Sequence, residues 1–150
     1  MSRNFALVPA AGTGTRMGGD LPKQYHLLAG RPMIRHALEV LCASPRIQRV
    51  FVVLAEGDDI WERFDWAELG VKLSVLRCGG ATPADSVLNG LAAKSAALKP
   101  DDWVLVHDAA SPEHFRRAVA RRRAGRRRGQ RGQPAGGPPQ VVVDLEVARR

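Results

Sequence analysis

Near the start of the chain, Val8-Pro9-Ala10-Ala11-Gly12-Thr13-Gly14-Thr15-Arg16-Met17 is followed closely by Pro22-Lys23-Gln24-Tyr25. Small residues at Ala10, Ala11, Gly12 and Gly14 let a backbone curl close to a ligand and aim several N–H groups at phosphate oxygens. Arg16 and Lys23 add two positive charges beside that loop. Together they suit a polyphosphate. The segment lacks the Lys-Ser/Thr ending of a P-loop, and Met17 breaks the GxGxxG dinucleotide pattern. The bland alternative is a tight strand-to-helix turn flanked by two solvated cations.

For the loop to work it must leave the carboxyl end of a strand, where open α/β sheets bind ligands. Phe5–Val8 supplies that strand. Farther on, short β-rich runs alternate with helical ones, as βαβ units around a parallel sheet require. Ile34, Ala37, Leu38, Leu41 and Cys42 recur at helical spacing after Gly30-Arg31-Pro32, giving a helix up to about Ser44. Val50–Leu54 is apolar throughout, as a strand covered on both faces should be. Asp58 to Leu69 reads as a short helix with Ile60, Trp61, Phe64 and Leu69 inward, and Trp61 and Trp66 in the core or at its rim. Val71–Leu76 is a third strand. Thr82 then caps a helix with Pro83 at its first position and Asp85 in a capping box, ahead of a Val87, Leu88, Leu91 and Ala92 stripe. Trp103–Val106 is a fourth strand, running into His107-Asp108.

A length of 150 residues with 45% hydrophobic content allows one domain with one core. Cys42 and Cys78 have no CxxC partner, so neither a disulfide framework nor a zinc site is expected, and the thiols fit a reducing, cytoplasmic setting. No stretch approaches the roughly 20 apolar residues of a membrane span, and the N-terminal apolar run is too short for a signal-peptide core. His26, His36, His107 and His114 lack ligand spacing to a Cys or carboxylate and read as structural or solvated. The net charge of +8 is unevenly spread. Residues 1–115 hold 12 Lys+Arg against 13 Asp+Glu, net −1, whereas residues 116–150 hold 11 against 2, net +9. Positions 116–131 alone carry nine arginines, and Gln133 to Gln140 is Gly/Pro-rich, with no apolar periodicity, so 116–150 reads as a basic tail that is disordered or extended. Val141–Val143 is read as an isolated strand with nothing obvious to pair with.

With these residues in view, a family resemblance becomes specific. AAGxGTRM followed by PK resembles the signature loop of nucleotidyltransferases. PKQY, Gly79-Gly80 with Asp85-Ser86-Val87 and Gly90-Leu91, and Val106-His107-Asp108-Ala109-Ala110 together resemble the methylerythritol-phosphate cytidylyltransferases, over roughly residues 4–112 in order. The resemblance implies a Rossmann-like, three-layer α/β nucleotidyltransferase fold with a mostly parallel sheet, here incomplete. It implies that Pro9, Ala10, Ala11 and Gly12 lie against a cytidine nucleotide and its phosphates, that Gly79, Gly80 and Ser86 contact base and ribose, and that Ala109 lies near the ribose. It implies that Asp108 helps hold a Mg²⁺ ion, an oxygen-preferring cation that a carboxylate just past a buried strand suits. A helix cap or turn residue is the plain alternative for Asp108. The activity implied is transfer of CMP from CTP to methylerythritol phosphate in isoprenoid precursor synthesis, with Arg16 and Lys23 as the charged residues of the reaction.

The pattern is also broken in places. The family carries Arg where this chain has Pro83, and again where it has Ser111. Family members are longer, and their second half supplies further strands, part of the acceptor pocket and the arm that builds a homodimer. Here that half is replaced by the basic tail, whose Arg/Gly/Ala/Pro bias is expected of GC-rich coding DNA read out of frame. The gene sequence tests this: a single-base change should restore a family-like second half. On that reading the chain keeps the family's identity without the second half that completes the acceptor pocket, and its turnover is left open. Two other functions stay open, a nucleotidyltransferase for a sugar phosphate or molybdopterin-type acceptor, and a non-catalytic nucleic-acid binder acting through the arginines without sequence preference.

Overall fold

A computed structural model describes residues 3–12, 21–107 and 140–143, the last by backbone alone. The first strand, β1 (Asn4–Pro9), lies at the centre of a five-stranded sheet. After a 3-10 turn at Lys23–Tyr25 come two short strands, β2 (Leu27–Leu28) and β3 (Arg31–Pro32), which pair antiparallel. Ala29 and Gly30 turn this hairpin with φ of 53° and 78°. There follow α1 (Met33–Ala43), β4 (Arg49–Val53), β5 (Leu73–Leu76), α2 (Pro83–Ala93), β6 (Trp103–Val106) and β7 (Gln140–Val143).

The large sheet has the order β5-β4-β1-β6-β7, and all four pairings are parallel. From β1 the chain builds outward through β4 to β5, then crosses back to place β6 on the other side of β1. The strand order therefore reverses at β1, and the crevice beyond its carboxyl end is where such sheets take ligands.

Side chains alternate along the strands, and among the described residues each face is covered by one helix, giving three layers. Ala6, Val8, Val50 and Val52 point to the face covered by α1, through Ile34, Leu38 and Leu41. Phe5, Leu7, Phe51 and Val53 point to the other, where Val87, Leu91 and Leu98 pack. Burial of each such large side chain contributes about 1.5–3 kcal/mol. Phe5 and Phe51 stack across β1 and β4 with ring centroids 5.9 Å apart. Helix α2 comes closest at Gly90, where a Cβ would meet Leu7 Cδ1 and Val53 Cγ2 at 2.9 Å each.

The N-terminal ends of β1 and β6 are joined by charge. Arg3 Nη2 donates to Asp102 Oδ2 at 2.8 Å, and Arg3 Nε to Oδ1 at 3.2 Å. Lys99 N–H donates to the same carboxylate at 2.7 Å.

Three expectations are corrected. Asp58 to Leu69 is not a helix but two 3-10 turns, Trp61–Arg63 and Ala67–Leu69, separated by extended backbone at Phe64. The aspartates are the cause: Asp58 Oδ1 accepts from Ile60 and Trp61 N–H at 2.8 and 3.0 Å, and Asp65 Oδ1 from Ala67 N–H at 2.9 Å. Such local bonds compete with a continuous helix. Trp61 and Trp66 do hold the expected core and rim places, stacked with centroids 3.9 Å apart.

The second correction concerns α2, where Leu88 and Ala92 face solvent. The buried face is Ser86 and Gly90, flanked by the half-buried Val87 and Leu91, because the helix is seated on its small residues. The third concerns Val141–Val143, which is not isolated: Val141, Val142 and Val143 pair in parallel with Val104, Leu105 and Val106. Four residues of the stretch read as tail thus belong to the sheet, as the strand β7. The remainder of 108–150 lies outside the described residues.

Candidate nucleotide site

Beyond the end of β1, the backbone from Pro9 to Gly12 passes between two other segments. Ala10 is buried, and its N–H donates to Val53 O at 2.8 Å, so the loop leaves the sheet under β4's control. Gly79 packs against it. A Cβ on Gly79 would lie 2.2 Å from Ala11 Cβ and 2.9 Å from Leu54 O, distances no real side chain reaches. Gly79 N–H itself donates to Leu54 O at 2.9 Å.

Gly80 is held from beneath by α2. Its N–H donates to Ser86 Oγ at 3.0 Å, and a Cβ there would meet Asp85 Cβ at 2.4 Å. Ser86 is buried, at 1% exposure, so its hydroxyl shapes the Gly79-Gly80 backbone from inside. Asn89 Nδ2 donates to Cys78 O at 2.9 Å, fixing the approach to the same glycines. The helix that does this starts where the sequence places it, with Thr82 Oγ1 accepting from Asp85 N–H at 3.1 Å and Pro83 at the first position.

On the other side stands the Lys23–Tyr25 turn. Lys23 is exposed, while Gln24 and Tyr25 are buried. Gln24 Nε2 donates to both Ala10 O and Gly12 O at 3.0 Å. Tyr25 hydroxyl donates to Asp58 Oδ2 at 2.6 Å. Burial first, then this hydrogen bond and the negative charge of Asp58, push the Tyr25 phenol well above its ordinary range. Arg77, two residues before Gly79, donates to Asp58 O at 2.7 Å and pairs with Glu62. Segments around 10, 24, 58 and 78 are thereby linked side by side.

Of the residues singled out in the sequence, the structure brings together Pro9, Ala10, Ala11, Gly12, Lys23, Gly79, Gly80 and Ser86. Arg16, Asp108 and Ala109 lie outside the described residues, as does Ser111. His107 is buried just past β6, its N–H donating to Leu7 O at 3.0 Å beside β1. His26 and His36 bond the carbonyls of Leu21 and Leu28, in keeping with structural roles. Among the described residues, no three His, Cys, Asp or Glu side chains form a metal cluster, and Cys42 and Cys78 are free thiols. Burial raises the pKa of Cys42, an effect the charge of Lys72 opposes. No helix among the described residues is long and apolar enough to cross a membrane.

Gln24 and Asn89 were missed as site-shaping residues. Gln24 stood inside the PKQY motif, and Asn89 is the one residue with a polar side chain between Val87 and Ala93.

Comparison with known proteins agrees with this geometry. The family model for 2-C-methyl-D-erythritol 4-phosphate cytidylyltransferase (IspD) matches residues 5–136. The enzyme of that name from Nitrosospira multiformis is 62% identical over 114 residues, covering 75% of this chain and 49% of its own length. The one from Ralstonia nicotianae is 47% identical over 149 residues, 97% of this chain and 57% of its own. The crystal structure of the Francisella tularensis enzyme superposes with a TM-score of 0.66 at 29% identity, covering 86% of this chain and 54% of that one. The chain spans about half the length of the curated relatives it matches first. The family match reaches residue 136 and the Ralstonia match takes in nearly the whole chain, so part of the arginine-rich stretch aligns with the family despite its composition. The family match over residues 5–136, the superposition and this degree of identity lead to one conclusion: the chain belongs to the 2-C-methyl-D-erythritol 4-phosphate cytidylyltransferase family.

Proposed function

We propose that this chain binds CTP at the carboxyl end of β1 and transfers its CMP group to 2-C-methyl-D-erythritol 4-phosphate, releasing pyrophosphate. The observation that carries the proposal is the packing of Ala11 on Gly79, which leaves room only for backbone between the loop after β1 and the loop after β5. Two small-residue loops meeting in this way beyond the carboxyl end of β1 suit a nucleotide, with phosphates toward residues 10–12 and the base toward Gly79 and Gly80. Ser86 acts on the base side through the Gly80 backbone it holds.

In the reaction, a phosphate oxygen of the acceptor attacks the α-phosphorus of CTP in line. The new P–O bond forms as the bond to the β-phosphate breaks, and the electron pair leaves with pyrophosphate. The acceptor oxygen is already anionic, so no protein nucleophile is required. What the chain contributes is position and positive charge. Lys23 is exposed beside the loop with Gln24 and Tyr25 anchored behind it, and we assign it to phosphate charge. Arg16 has the same role in the proposal, and Ala109 lies near the ribose.

A Mg²⁺ ion belongs to the same proposal, with Asp108 as its protein carboxylate. Mg²⁺ is commonly held by one or two carboxylates together with substrate phosphates, so a single Asp at the β6 end fits it. Bound there, it would neutralise charge on the phosphates. The free thiols fit a cytoplasmic setting. The acceptor and a family-type homodimer are proposed from family membership, and Pro83 and Ser111 mark places where a family arginine is absent.

The test is CTP binding by the purified chain with Mg²⁺, ATP as competitor, and the Arg16→Ala, Lys23→Ala double variant as control. Saturable, CTP-selective binding weakened in the variant is expected. Binding to any polyanion that vanishes with salt and ignores both substitutions would instead assign the activity to the arginine-rich stretch.

A further inference from the structure

We propose that Gln24 is the positioning residue of the nucleotide loop: its side-chain amide holds the carbonyls of Ala10 and Gly12 inward, so that the loop's N–H groups face the phosphates. The inference rests on the CTP reading above and adds a residue to it.

A carboxamide nitrogen has two N–H donors. Gln24 Nε2 lies 3.0 Å from Ala10 O and 3.0 Å from Gly12 O, so both donors reach carbonyls two residues apart on the same loop. The two peptide units whose oxygens are tied to one side must present their N–H groups on the other, as backbone groups that bind phosphate do. Gln24 is itself buried, at 8% exposure, so it does not compete with the ligand for water or space.

Gln24 also follows Lys23 directly. Whatever fixes Gln24 against the loop fixes the Lys23 backbone at a set distance from the phosphates. Tyr25, bonded to Asp58, holds the turn from its other end. The same turn thus carries a cation outward and the loop's two anchoring donors inward.

Glutamate is nearly the same shape, and when ionised it only accepts hydrogen bonds. In Gln24→Glu, a carboxylate would face two carbonyl oxygens, and the loop should release. Protonation returns one donor, and burial among acceptors raises the carboxyl pKa, so function should return in part as pH falls. Gln24→Met, which has no donor at any pH, is the companion variant.

Two measurements on the full chain decide the matter. The first is deuterium uptake of the peptide containing residues 9–12 without ligand, with thermal unfolding as the folding control. Faster uptake in both variants, with unfolding near that of the unmodified chain, is expected. The second is CTP affinity with Mg²⁺ between pH 8 and pH 5. Binding at least tenfold weaker is expected for both variants at pH 8, with Gln24→Glu alone recovering toward the unmodified chain at pH 5. Unchanged uptake, or equal CTP affinity in all three chains, would overturn the proposal. So would recovery at low pH by Gln24→Met. If the unmodified chain binds no CTP, the functional reading fails, and the uptake result still decides whether Gln24 holds the loop.

Discussion

Gly79 lies against Ala11 so closely that a single added methyl group would sit 2.2 Å from the Ala11 Cβ. That contact joins the loop after β1 to the loop after β5, and it exists only because position 79 has no side chain. Gly79→Ala must therefore push one loop away from the other. CTP affinity is expected to fall more than tenfold, with a stability loss of about 1–3 kcal/mol from the overpacked contact. Gly57→Ala, where a Cβ would meet nothing within 4 Å, serves as the control and should change neither. Isothermal titration with CTP and thermal unfolding of both variants check this, and normal affinity in Gly79→Ala would remove the contact from the site.

Lys23 offers the opposite profile. Its side chain is exposed and forms no described ion pair, so Lys23→Ala should leave stability within about 0.5 kcal/mol. Its effect should fall on phosphate binding and turnover instead. A variant that lost melting temperature and kept nucleotide affinity would contradict the assignment.

The Asp102 carboxyl is pulled two ways. Desolvation, its largest single influence, raises the pKa, but the hydrogen bonds from Arg3 and Lys99 and the Arg3 charge together bring it below the ordinary 3.8. A depressed folded-state pKa means stabilisation that is present above the unfolded value and lost as pH falls through the folded one. Melting temperature should thus drop on acidification below about pH 4. Asp102→Asn should flatten that limb and cost about 2 kcal/mol at neutral pH through weakened hydrogen bonding. An unchanged acid limb in the variant would place its origin elsewhere.

Tyr25 gives an alkaline counterpart, and as the one tyrosine in the chain it reports on itself. Burial, then the hydrogen bond to Asp58, raises its pKa from the ordinary 10.0. A raised folded-state value means stabilisation that is complete below the unfolded pKa and is lost as pH rises through the folded one. Tyrosinate absorbance should therefore stay absent near pH 10 in the folded chain and appear together with alkaline unfolding. Ordinary titration near pH 10 with circular dichroism intact would show the phenol to be in contact with water.

The parts that sequence reasoning placed well share a local signal. Trp103–Val106 and the α1 face of Ile34, Ala37, Leu38 and Leu41 are written in hydrophobic spacing, which needs no knowledge of the partner. The cap at Thr82 is likewise a matter of four consecutive residues. The misplaced parts depend on distant ones. Leu88 fitted the stripe of α2, but which face meets the sheet is decided by Gly90 fitting between Leu7 and Val53. The partner of Val141–Val143 is β6, some 37 positions earlier, and no pattern within three valines names it. Between Asp58 and Leu69 the apolar spacing is helical, yet two aspartate side chains claim the N–H groups. At the site, the small residues and Lys23 stood out by type, whereas Gln24 matters through bonds to residues 12 and 14 positions away.

The central place of β1 has a consequence for how the protein comes into being. This strand is made first, yet its neighbours are β4 and β6, with Phe5 opposite Arg49 on one side and Val104 on the other. Arg3 must find Asp102 across 99 positions. Pairings this distant form late, after the nearer contacts around α1 have collapsed. On the ribosome, the loop at residues 10–12 therefore waits as bare peptide until Gly79, and then β6, have emerged. Nucleotide binding should accordingly appear abruptly with chain length in nascent-chain experiments, once Ala109 is free of the tunnel, and shorter chains should present β1 with an open, aggregation-prone edge.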